Sequence, residues 1–375
     1  MKNKNRDYLV SGIVIAVLII AIVLISVFPK QENNDEIKIG VVVPLTGKLA
    51  KHGEWMKNGL ELAKEDINNN GGINGKKIKL IYEDTKCLPT DTQTALIKLS
   101  NVDNILGYIG PFCGSPTFVA AEFSEKNNII GITPYANYGK LSDNFFSTNA
   151  LLEKEGQKIA KFSYDELGLK KIGIFYFNND WGVFLKDEFK TVFEENGGSI
   201  VAIEKVNSFL QDDFRTELLK IKNAGSEGIF ILLTNPIIVK QAREIGFTGI
   251  LLSQNTIQNP DYNVLTDEII YYSYPDDKSI SENLNGFTSR YLDAYGEVPG
   301  VIPYDSYDSL IIMTDSIRFC EDKNQELHKC MREYILSNSF EGVSGNITID
   351  KDNYGVTSKE YIIKTLKNGE FVSYQ

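Results

Sequence analysis

Valine- and isoleucine-rich runs too short for helices alternate with helical-period segments along most of the chain. The alternation opens in residues 37–87. Residues 37–43, IKIGVVV, are an apolar run whose β-branched content favours a buried strand. Pro44, Thr46 and Gly47 break it into a loop. Trp55, Leu60, Leu62, Ala63 and Ile67 then recur at three- and four-residue steps, the pattern of a helix lying on a sheet. Asn70, Gly71 and Gly72 end it, and residues 78–82 form a second strand running into Glu83 and Asp84. This strand–helix–strand unit carries its loop at the carboxyl end of the first strand, where open α/β sheets hold ligands.

The same reading continues as helix 90–101, strand 105–109, helix 116–127 and strand 129–132. Such βα units build a parallel sheet covered on both faces. Near residues 146–152 the chain is expected to cross to a second lobe. There the series restarts with helix 153–166, strand 171–176, helix 182–196 and strand 200–206. Helix 214–223, strand 228–232, helix 237–246 and strand 249–252 follow. A length of 375 residues accommodates two such lobes better than one sheet.

Before residue 37 the chain is of another kind. Residues 8–29 carry no charge, and residues 12–28 are almost wholly Ile, Val, Leu and Ala, about the 20 residues that span a bilayer. Lys2, Lys4 and Arg6 precede the run, which predicts a cytoplasmic N-terminus with the remainder outside. A cleaved secretory signal is the rival reading. The run is long for a signal core and ends Ser-Val-Phe-Pro-Lys, without a small-x-small site, so an uncleaved transmembrane anchor is expected. Residues 30–36 then form a polar tether. The four cysteines suit an exported chain, with free buried thiols as the alternative. Cys320 and Cys330 flank an acidic loop between two helical stretches, an arrangement that fits a local bridge.

The net charge of −11 excludes a nucleic-acid partner, whose phosphates demand a basic face. Gly47-Lys48 lacks the following hydroxyl residue of a phosphate loop. Asp350, Asp352 and Gly355 lack the bidentate glutamate of a calcium loop. Two histidines leave little material for a triad or zinc cluster, and His52 and His328 are both read as solvated. No metal or cofactor is expected. Residues 110–116 run from a strand into a helix, so free N–H groups and the helix dipole there favour an anion, with Ser115 adding a hydroxyl and Gly114 allowing close approach. An ordinary helix cap accounts for the same residues.

The phrases GVVVPLTGKLAKHG and NGLELAKEDINNNGGINGKKIKLIYEDTKC, then IGPFCGSPTFVAAEF, GITPYANY, KKIGIFYFNNDWG and VKQAREIGFTGILLSQN, occur in an order and spacing that resemble leucine/isoleucine/valine-type substrate-binding proteins. These are the extracytoplasmic receptors of amino-acid ABC transporters. The resemblance covers nearly everything from Ile37 onward. It implies an α/β type I periplasmic binding fold, two doubly wound parallel-sheet lobes joined by three hinge strands. With the return crossing at 271–274 and the third at 342–345, lobe 1 would comprise residues 37–150 and 275–343. Lobe 2 would comprise 151–274 and 344–375, and residues 1–36 the cytoplasmic tip, anchor and tether. The resemblance also pairs Cys87 with Cys113.

In that family the loops 110–116 and 133–138 hold the ligand's α-carboxylate, which implicates Gly114, Ser115, Tyr135, Ala136 and Asn137. The family usually has a hydroxyl residue where this chain has Gly114, and another at Asn137. Lobe 2 supplies Asp180, Trp181, Thr234, Asn235 and Gln254, with Trp181 expected to close over the ligand. Asn255 falls where amino-acid binders place an acidic partner for the ammonium group. A buried ammonium without a counter-charge is costly, so Asp180, Asp305 and Asp308 are candidate replacements. Phe112, Tyr135 and Tyr304 would give an aromatic wall. The expected function is a membrane-tethered receptor delivering a branched-chain-like or aromatic amino acid, or a related small carboxylate, to ABC permease and ATPase subunits. A sensory receptor acting through a partner is the alternative, and an α/β enzyme a remote one.

Overall fold

The computed structural model describes residues 36–374 apart from 136, 209, 234, 258–267, 274–281, 324 and 357–360. The apolar run at 12–28 lies outside these. Among the described residues no helix is long and apolar enough to cross a membrane.

Two sheets carry the chain. The first contains β1 (Ile37–Val43), β2 (Ile78–Asp84), β3 (Tyr108–Ile109), β4 (Gly131–Thr133) and β5 (Phe145–Ser147), all parallel, in the order β2-β1-β3-β4-β5. The second repeats that order with β6 (Lys171–Phe177), β7 (Ser199–Val206), β8 (Gly228–Leu232), β9 (Ile250–Ser253) and β10 (Ile269–Ser273), as β7-β6-β8-β9-β10. A hairpin of β11 (Ser339–Gly342) and β12 (Gly345–Thr348) follows. Then β13 (Ile362–Lys367) and β14 (Glu370–Ser373) add to the second sheet, antiparallel, beside β10. The expected parallel lobes are present, the second with this antiparallel edge.

Each sheet is covered on both faces because alternate strand residues point to opposite sides. Val41 and Val43 join one core with α1 (Ala50–Asn69) and α9 (Val301–Cys320). Val42 joins the other, under α2 (Pro89–Asn101) and α3 (Gly114–Asn127). In the second sheet Phe230 and Leu232 face α4 (Leu152–Asp165) and α5 (Asp180–Glu195). Ile229 and Ile231 face α6 (Arg215–Asn223) and α7 (Ile237–Glu244). Helices α8 (Glu282–Tyr295) and α10 (Leu327–Ser337) pack beside α1 and α9 in the first lobe.

The two cysteine pairs are bridged, Cys87–Cys113 with Cα atoms 5.5 Å apart and Cys320–Cys330 with Cα atoms 5.8 Å apart. Among the described residues the chain changes from one core to the other three times. Phe146 belongs to the first lobe's core and Ala150 to the second's. Tyr272 lies in the second, whereas Phe287 packs with Leu62 of α1 in the first.

The third passage differs from the sequence reading. Residues 342–345 turn an antiparallel hairpin rather than crossing, because Asp308 on α9 accepts hydrogen bonds from the Val343 and Ser344 amides at 2.7 and 3.1 Å. Ile347, Ile349, Tyr354 and Val356 remain in the first core, and Tyr361 is the first described residue back in the second. Among the described residues the first core therefore extends to Val356 and the second resumes at Tyr361.

Candidate functional site

In each sheet the strand order reverses beside the first strand of its series, β1 in one and β6 in the other. Successive loops diverge at such a point and leave a crevice at the strand carboxyl ends. The two crevices face each other, forming one cleft of about 250 Å³ between the lobes. One wall comes from α1 and the loops after β2, β3 and β4; the other comes from the loops after β6, β7 and β8. The volume holds one small molecule.

The first-lobe wall is a run of rings. His52 meets Trp55 and Phe112, each with ring centroids 5.1 Å away, and Phe112 stacks on Tyr135 at 4.4 Å. Phe177, Val206, Phe214, Leu232 and Leu233 make the opposite wall apolar. Burial pushes His52 down to about 4, so its imidazole is neutral at physiological pH. Its Nδ1 has no hydrogen-bond partner among the described residues.

Polar groups are few. Among the described lining residues Asp180 is the sole carboxylate, and none is lysine or arginine. Helix α3 begins at the cleft after Cys113, whose backbone is extended and whose side chain makes no capping bond. As the first two residues of α3, Gly114 and Ser115 have N–H groups without an intrahelical acceptor. The third residue, Pro116, has no N–H to offer. Across the gap Asp180 opens α5, and Ser115 Oγ donates to its Oδ2 at 2.5 Å. Two amide donors at a positive helix end thus stand beside one carboxylate, within a cleft whose walls are otherwise mostly apolar. The arrangement suits a molecule bearing both an anionic and a cationic group, or an anion alone.

The sequence profile of the periplasmic binding protein family matches residues 36–370. The chain belongs to that family. Members related to it include the leucine-, isoleucine-, valine-, threonine- and alanine-binding protein of Pseudomonas aeruginosa, 22% identical over 355 residues, covering 91% of this chain and 90% of that one. Two solved structures share the fold. A branched-chain amino acid transporter substrate-binding protein from Streptococcus pneumoniae, in complex with isoleucine, superposes with a TM-score of 0.80 at 23% identity, covering 90% of this chain and 98% of that one. An ABC transporter solute-binding protein from R. palustris, in complex with benzoate, gives 0.81 at 17% identity, covering 90% and 95%. Family membership makes the chain a solute-binding protein rather than an enzyme.

Within this periplasmic binding protein, Gly114, Ser115, Tyr135 and Trp181 line the cleft, as do Phe112, Asp180 and Asn235. Ala136 and Thr234 lie outside the described residues. Asn137 is not on the lining. It is buried, its Nδ2 donates to the Asn149 carbonyl at 2.8 Å, and its Oδ1 accepts from the Gly139 amide at 3.0 Å. The same Asn149 carbonyl accepts from the Val356 amide, and a Cβ on Gly355 would lie 1.8 Å from Asn137 Nδ2. Asn137 therefore fastens the loop after β4 to Asn149 and, beside it, the Gly355–Val356 segment, off the cleft lining.

Asn255 is buried at the start of a 3-10 turn and does not line the cleft. Nor does Tyr304, whose ring packs on Phe287 at 5.3 Å among the α8 and α9 aromatics. Asp308 holds the β11–β12 turn and Asp305 is buried in α9, which leaves Asp180 as the candidate carboxylate that reaches the cleft. Sequence reasoning missed His52, Tyr138 and the loop after β7 with Ser208 and Gln211. For His52 one signal existed: Trp55, three residues on, shares its helix face.

Proposed function

We propose that this chain is the membrane-tethered, extracytoplasmic receptor of an ABC importer. Its cleft takes a small carboxylate with an apolar or aromatic body, an amino acid foremost. The observation that carries the reading is the pair of α3 amides at the head of the helix, beside Asp180, in a mostly apolar cleft. Gly114 and Ser115 bind the carboxylate, Asp180 meets an ammonium group in place of Asn255, and Tyr135 and Trp181 enclose the body. The relatives named for amino acids, and the one solved with benzoate, support the same ligand class. Closure around the ligand creates the form that permease subunits accept.

Calorimetry with L-isoleucine, L-phenylalanine, benzoate and benzamide tests the cleft. Asp180→Asn is expected to weaken amino acids roughly ten- to a hundredfold, the loss of one charge-assisted bond. Benzoate should change little. Tight binding of benzamide or sugars with every carboxylate inert would defeat the reading.

The anchor rests on the uncharged run at residues 8–29 behind Lys2, Lys4 and Arg6. Sequencing the mature membrane-bound protein is expected to return the N-terminal lysines. A start near residue 30 would replace the anchor with a cleaved leader.

A further inference from the structure

Tyr138 ends the loop after β4 and lines the cleft. Its ring lies 4.9 Å from Phe118 on α3 and meets Phe184 on α5 edge-on at 5.5 Å, so it is wedged between the lobes. Its hydroxyl points at the start of α3: a Cβ on Gly114 would lie 2.5 Å from Tyr138 Oη. A side chain at position 114 would therefore require the hydroxyl to move.

That hydroxyl is buried and has no hydrogen-bond partner among the described residues. Native proteins rarely leave such a group unpaired, and where they do a missing partner is the usual explanation. Burial, aided by the Asp180 and Glu155 carboxylates, pushes the phenol up, so it stays protonated and able to donate. Its neighbours at the head of α3 are the Gly114 and Ser115 amides, which are donors too. Three donors at the same end of the cleft can be met by one anionic acceptor, such as a carboxylate.

We infer that Tyr138 Oη is the side-chain donor of the carboxylate site, occupying the space that a residue larger than glycine at 114 would fill. The inference rests on the carboxylate reading of the cleft. It makes Tyr138 a determinant of specificity: a ligand with a neutral group at this end leaves the hydroxyl and two amides without their charged acceptor.

Calorimetry on Tyr138→Phe, with whichever of L-isoleucine, L-phenylalanine and benzoate the wild type binds, is the first arm. Affinity is expected to fall roughly ten- to a hundredfold with unfolding temperature held or raised, since only an unpaired hydroxyl is removed. The second arm is a double-mutant cycle. Gly114→Ser should weaken binding and lower the unfolding temperature in the wild type, and cost less of both in the Tyr138→Phe background. Tyr138→Phe binding within twofold of wild type, or Gly114→Ser equally costly in both backgrounds, would overturn the inference while leaving the cleft's function intact. A wild type that binds none of the three carboxylates removes the functional reading and this inference with it.

Discussion

Glu155→Gln is expected to remove most of the loss of stability that this protein undergoes between about pH 4.5 and pH 7. Glu155 stands in the first turn of α4, 3% exposed. It accepts hydrogen bonds from Tyr272 Oη at 2.7 Å and from Tyr361 Oη. Burial drives its carboxyl up to about 7; the two tyrosine bonds oppose the shift and Asp305 adds to it. The folded state therefore holds a proton that the unfolded chain releases near its ordinary value of 4.5. Stability from this group is complete below that value, declines across the window, and is gone above pH 7. At ~1.4 kcal/mol per unit the decline amounts to roughly 3 kcal/mol. Glutamine cannot ionise, so its urea midpoints at pH 5 and pH 8 should lie much closer together than the wild type's. An unchanged difference would show that the pH dependence arises elsewhere.

Removing the Cys87–Cys113 bridge as the Cys87→Ala/Cys113→Ala pair is expected to cost both stability and binding. The bridge closes a loop of sequence separation 26, which chain entropy values at about 3.5 kcal/mol. The Cys320→Ala/Cys330→Ala pair, at separation 10, should cost about 2.7 kcal/mol. The larger difference is one of place. Cys113 is the residue immediately before α3, and both cysteines line the cleft. Freeing that end loosens the Gly114 and Ser115 amides, whereas Cys320 and Cys330 tie α9 to α10 away from the cleft. Denaturant titration and calorimetry on the two double variants separate the effects. Equal losses of affinity in both would contradict the role given to the first bridge.

The lobes were legible because their strands are buried on both faces and so read as unbroken apolar runs. Residues 37–43 and 171–177 need no partner in the sequence to be recognised. The head of α3 was legible for a similar reason, a strand running into a helix through glycine. What escaped depends on distant contacts. Nothing near residue 342 announces that Asp308, far back on α9, will hold a turn there. A lone histidine beside glycine looks solvated until Phe112 packs against it. Asn137 looked like a ligand residue because it stands in a loop at a strand end; that its amide is taken up by the Asn149 carbonyl is a fact of the crossings. Asn255 was chosen by resemblance and Tyr304 as an aromatic for the pocket wall, and here neither lines the cleft.

The three passages between lobes have a consequence for biosynthesis. The first core needs Ile349, Tyr354 and Val356, and the second sheet needs β13 beside β10. Neither lobe is a continuous stretch that could finish folding while the rest is still being made. A ribosome must translate nearly the whole chain before either half has its full complement of packing partners. Until then a growing polypeptide carries a first sheet short of part of its covering core and a second whose β10 edge is open, the kind of surface that invites chaperones or aggregation. Each lobe, split between distant parts of the chain, stays incomplete until synthesis is nearly over.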